Sequence, residues 1–89
     1  MAKGWRGADT ADEVRAAILG DVPHGSSRER VAAWLAAEGI EYADRGDEYA
    51  FRLKGPSRGL FVGVTWLVSL SFDGDALAGV EVSEGKTGP

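Results

Sequence analysis

From Leu60 to Phe72 the chain alternates without a break. Leu60, Val62, Val64, Trp66, Val68, Leu70 and Phe72 fall on one side, and Phe61, Gly63, Thr65, Leu67, Ser69 and Ser71 on the other. A period of two is the signature of a β-strand with one buried face, because successive side chains of a strand point to opposite sides of the sheet. A helix would scatter the same apolar residues around its axis. The chain must therefore build a sheet with one strongly apolar side, and that side needs a cover. With 89 residues there is room for one small domain to supply it and for one thin core.

The cover is written in the first half. Thr10 and Glu13 have the spacing of a capping box, followed by Val14, Ala17 and Ile18 at i, i+3, i+4, which predicts a helix over Ala11–Leu19. Gly20 supplies a stop, and Pro23 forbids continuation. Ser26 and Glu29 form a second box ahead of Val31, Trp34 and Leu35, with four alanines keeping helix propensity high, so a second helix is expected over Ser27–Glu38. Gly39 and Ile40 are placed to close it by a left-handed cap and its hydrophobic contact.

Beyond Gly39 the period changes. Asp44-Arg45-Gly46-Asp47 is turn chemistry, Glu48–Lys54 alternates, and Lys54–Gly59 reads as an ordinary β-turn that ends the strand. After the long strand, Asp73-Gly74-Asp75 turns the chain into a shorter strand over Leu77–Ser83, with Gly79 marking a bulge. Short turns between consecutive strands force antiparallel pairing. The expected architecture is α+β: a two-layer sandwich of two N-terminal helices on a three-stranded antiparallel meander, in ααβββ order. It makes one domain over residues 1–89, with a polar N-terminal tail at 1–9 and a C-terminal tail at 84–89.

Composition excludes several function classes. Acidic residues outnumber basic ones 14 to 10, a net charge of −4, whereas nucleic acids and anionic membranes select a basic face. No run approaches the ~18 apolar residues of a membrane span. Met1–Gly7 has no apolar stretch of a secretory signal, so the chain reads as cytoplasmic as written, and as periplasmic if a leader precedes it. The absence of Cys removes disulfides, thiolate metal sites and Cys nucleophiles.

The candidate constellations are weak as chemistry. His24 beside Ser26 and Ser27 lacks an orienting partner and an oxyanion hole, and reads as an exposed turn histidine next to a helix cap. Asp73-Gly74-Asp75 with Glu84 has the spacing of a calcium loop, yet the intervening positions alternate as a strand. Lys54–Gly59 is basic but has no Walker spacing. Glu41, Asp44, Asp47 and Glu48 form a solvated acidic stretch between helix and strand. None of this calls for a metal, a cofactor or an enzyme.

The aromatic and apolar residues say more. Trp34 and Trp66 belong to the two faces that must meet, so both are expected in the core. Trp5 lies in a polar stretch, where it either docks onto the domain or marks a partner contact. Phe61, Thr65 and Leu67 lie on the strand face turned away from the helices. They are either an interaction surface or a local packing against Tyr49 or Phe51.

The segment Pro23-His24-Gly25-Ser26-Ser27-Arg28-Glu29-Arg30-Val31 resembles the G-[ST]-[ST]-x-x-x-V helix entry of the SmpA/OmlA (BamE) outer-membrane lipoproteins and of the tandem domains of β-lactamase inhibitor proteins. Ser71–Leu77 resembles their F-D-x-x-G-x-L hairpin, with the glycine directly after Asp73. The ending Lys86-Thr87-Gly88-Pro89 is similar to that of small bacterial proteins of the same layout. The resemblance covers about Val22–Ser83 and implies an ααβββ fold and non-enzymatic protein binding. Without a lipobox Cys it does not extend to lipid anchoring. The expected function is a small non-enzymatic protein-binding or structural-accessory module, with an enzyme inhibitor or immunity-type protein as the alternative. Its contact surface is Phe61, Thr65, Leu67 and Trp5, and its partner another protein or a second copy.

Overall fold

The structure is a computed structural model that describes residues 5, 8, 10–57 and 63–87, the side chains of 56, 57, 86 and 87 excepted. Two helices, α1 (Ala11–Asp21) and α2 (Arg28–Glu38), precede four strands: β1 (Tyr42–Asp44), β2 (Glu48–Ser57), β3 (Gly63–Asp73) and β4 (Ala76–Thr87). The strands form one antiparallel sheet in the order β1-β2-β3-β4. The class is α+β as expected, with four strands where three were expected. The missed strand, β1, is exposed at all three residues. It carries no burial alternation, so the acidic stretch around it reads as a linker. It pairs because the turn after it is well formed: Gly46 N–H donates to Asp44 Oδ1 (2.9 Å) and Arg45 N–H to the Glu48 carbonyl (2.8 Å).

Thr10 caps α1, accepting from Glu13 N–H at 3.2 Å. The helix runs through Gly20 to Asp21 rather than stopping at Leu19. Its end is set by Pro23, which pushes the preceding Val22 out of helical geometry (φ −131°, ψ 84°). At α2 the cap is Ser27, not Ser26: the Ser27 hydroxyl accepts from Arg30 N–H at 3.1 Å. Ser26 is diverted, its hydroxyl donating to the Pro23 carbonyl at 2.6 Å and its own carbonyl accepting from Leu77 N–H at 2.8 Å. The segment entering α2 is thereby laced to the start of β4. At the other end Gly39 is left-handed (φ 71°), with Gly39 N–H on the Ala36 carbonyl and Ile40 N–H on that of Leu35, a Schellman closure.

Two further boundaries move. β2 continues through Gly55 and Pro56 to Ser57, with a register shift between Lys54 and Ser57, so the first part of the expected turn is strand, while Arg58 and Gly59 lie outside the described residues. β4 runs to Thr87, pairing Glu84–Thr87 with Gly63–Trp66, so residues 84–87 are strand and not tail. Backbone pairing with a long neighbour does not depend on side-chain polarity, and polar composition hid this extension. The expected bulge lies one residue before Gly79, where Ser71 pairs with Gly79 and Phe72 with Leu77.

One side of the sheet holds the core. Tyr49, Phe51, Leu53, Val64, Trp66, Val68, Leu70, Phe72, Leu77 and Val80 meet Val14, Ile18, Val31 and Leu35 of the helices. Trp66 is fully buried, as expected. Trp34 is only half-buried: it meets Phe51 edge-on (6.4 Å between centroids) and keeps its indole N–H at the rim, donating to Asp21 Oδ2 at 3.1 Å. Trp5 and Ala8 also belong to the core, so these residues of the N-terminal stretch dock onto the domain rather than trail from it. No helix among the described residues is long and apolar enough to cross a membrane.

Candidate functional site

The helices and Trp5 lie on the same side of the sheet, and among the described residues none covers the opposite side. Register fixes what it displays. Across the four strands, Ala43 lies beside Ala50, Ala50 beside Ser69, and Ser69 beside Glu81. One step further along, Arg52 lies beside Leu67 and Leu67 beside Ser83; then Lys54 beside Thr65 and Thr65 beside Gly85. Leu67 is 41% exposed, the most open large apolar side chain among the described residues. Its cross-strand neighbours are Arg52 and Ser83, whereas Tyr49 and Phe51 are buried on the other face, so the alternative of packing against them does not apply.

This face is not flat. A depression of about 560 Å³ crosses it, its lining including Ala43, Ala50, Leu67, Ser69 and Ser83. Arg45 and Arg52 border it on the β1–β2 side and Glu81 on the β4 side. The small side chains make the hollow and the long charged ones its walls. Glu48, at the near end of β2, accepts from the Ser69 hydroxyl at 2.6 Å, which orders that corner. The surface is therefore a mosaic of one exposed leucine, small residues, a basic margin on β2 and an acidic one on β4.

The expected contact residues separate. Leu67 and the half-buried Thr65 share the open face. Trp5 is 5% exposed and belongs to the core, so it contributes no contact surface. Phe61 lies outside the described residues. The residues the sequence reading did not select are Arg45, Arg52 and Glu81. The alternation of Glu48–Lys54 already set Arg52 and Lys54 opposite the buried Tyr49, Phe51 and Leu53; what it could not supply is the register that brings them beside Leu67.

Elsewhere, His24 is exposed in the turn before α2, and Ser26 and Ser27 spend their hydroxyls on backbone groups. Asp73 pairs with Ala76 at the hairpin end of the β3–β4 ladder, whereas Glu84 pairs with Trp66, far along it. No group of three or more metal-ligating side chains occurs among the described residues. A second hollow, of about 790 Å³, lies at the end of α2, against Trp5, Ile40, Tyr42 and Leu53. No protein-family model, curated protein or solved structure matches the chain.

Proposed function

We propose that this chain is a small non-enzymatic protein-binding module that meets its partner with the uncovered face of its sheet. The observation that carries the reading is the exposure of Leu67 in the middle of a strand whose other face is the core. Covering a large aliphatic side chain contributes about 1.5–3 kcal/mol before the costs of association. A surrounding mixture of small residues and charges suits a broad protein contact better than a small-molecule pocket. The resemblance of the α2 entry and the β3–β4 hairpin to the SmpA/OmlA and β-lactamase-inhibitor domains points the same way, toward binding without chemistry. The sheet of this chain has four strands where that layout has three.

The test is site-specific photo-crosslinking in the native host. A photoreactive residue at position 67 or 83, on the open face, is expected to give a discrete product, while one at position 24 or 29, on the helical side, gives none. Crosslinks from 24 or 29 with none from 67 or 83 would move the contact to the helical side and end this reading.

A further inference from the structure

Resting on that reading, we propose that the partner of the open face is a second copy of this chain, packed sheet against sheet about a two-fold axis that runs along β3. The argument is self-complementarity. In a two-fold interface each group meets the partner's version of another group on the same patch, so a patch can pair with itself only if it carries both halves of every contact. This one does. An axis along β3 lays the β2 of one copy over the β4 of the other and keeps each residue at its own level along the strands. Leu67, on the axis, meets Leu67 of the second copy.

The row that reads Ala43, Ala50, Ser69, Glu81 sets the charged contact. Rotation brings Glu81 of one copy over Ala50 of the other, into the hollow that Arg45 and Arg52 border. Ala43 and Ala50 leave the space, and the two guanidiniums supply the charge. Because the operation is symmetric, the contact forms twice, once on each side of the leucine pair. Lys54 falls over Gly85, where there is no side chain to obstruct it. Sheets stacked face to face stand ~10 Å apart, a gap that an Arg and a Glu reaching from opposite sides can span.

The size of the surface sets the strength. The three strands that overlap, β2, β3 and β4, at ~4.8 Å spacing and about eight residues of length at ~3.3 Å each, cover roughly 380 Å² per copy, small for a specific interface. The dimer is therefore a reversible one, which dissociates on dilution.

The experiment is sedimentation equilibrium over a range of concentrations, with charge-reversed variants confirmed as folded by unchanged cooperative melting. The parent is expected to pass from monomer to dimer as concentration rises. E81R alone, and R45E/R52E alone, are each expected to dimerise at least tenfold more weakly, since like charges then meet in the hollow. Mixed in equal amounts, the two variants restore both contacts and are expected to recover the dimer. A parent that stays monomeric up to millimolar concentration, or a mixture no better than its components, overturns the proposal. A monomeric parent that still crosslinks another protein from position 67 removes only the second copy and leaves the open-face reading standing. A dimer indifferent to these variants and to L67S, with no crosslink from position 67 or 83, removes both.

Discussion

The guanidinium of Arg28 lies 4.7 Å from the centroid of the Phe72 ring and donates from Nε to the Gly74 carbonyl at 2.9 Å. It also donates from Nη1 to the Gly46 carbonyl. One side chain at the start of α2 thus joins the turn of the β1–β2 hairpin to that of the β3–β4 hairpin, with a cation–π contact between them. Only the planar fork of Arg serves both carbonyls while covering a ring, so Lys is not an equivalent. Arg28→Lys is expected to cost about 1–2 kcal/mol. Hydrogen exchange should show the cost locally, as faster exchange at Arg45 and Phe72, whose amides donate across the hairpin ends. Slowed or unchanged exchange at both would mean that Arg28 does not hold the hairpins together.

A β-carbon built on Gly55 would come within 2.8 Å of Trp66 Nε1 and 3.0 Å of the Val64 carbonyl oxygen. The indole is fully buried and cannot swing away, and the carbonyl belongs to the sheet. Gly55→Ala is therefore expected to destabilise by about 1–3 kcal/mol, the usual cost of overpacking a filled core. Chemical denaturation measures it. A stability within 0.5 kcal/mol of the parent would show that the sheet relaxes freely at this point.

The two core tryptophans should differ. Trp66→Ala removes a fully buried ring and is expected to cost about 3–5 kcal/mol, much of the stability of so small a domain. Trp34→Ala removes a half-buried ring and one hydrogen bond to Asp21, and is expected to cost about 1–2 kcal/mol. The ratio of the two denaturation free energies checks the assignment. Equal costs would place Trp34 as deeply as Trp66.

The contrast between these tryptophans also indicates how far the sequence can be read. Wherever burial imposes a period, the chain declares itself: β3 from its alternation, α1 from its cap and stripe, α2 from its stripe with the cap one residue later than expected, and the choice of core face from Trp66 and its alternate neighbours. The helix closure at Gly39 and Ile40 is equally legible, because one geometry demands a left-handed residue there. Where backbone pairing alone decides, the sequence is silent. β1 is exposed throughout, and the last four residues of β4 pair with β3 although none is apolar. Depth along a helix face is also hidden, since Trp34 and Leu35 read alike as apolar but only Leu35 is fully buried. At the candidate site, Leu67 and Thr65 follow from alternation within one strand. Arg52 and Glu81 become its neighbours through the registers of two hairpins, which single-strand periodicity does not encode. Trp5 shows the converse: a lone aromatic in a polar stretch has both an intramolecular and an intermolecular explanation, and here the core takes it.

Thermal unfolding as a function of protein concentration tests the central claim, that the open face with Leu67 is where the chain associates. Association stabilises the folded state by mass action, so the parent Tm is expected to rise with concentration. L67D should show a Tm that is independent of concentration and equal to that of the parent at high dilution, because Leu67 is exposed and stands outside the core formed by the described residues. A Tm for L67D several degrees below the dilute parent would place Leu67 in the structural core. A concentration dependence that survives in L67D would place the interface elsewhere on the molecule, and either result contradicts the account.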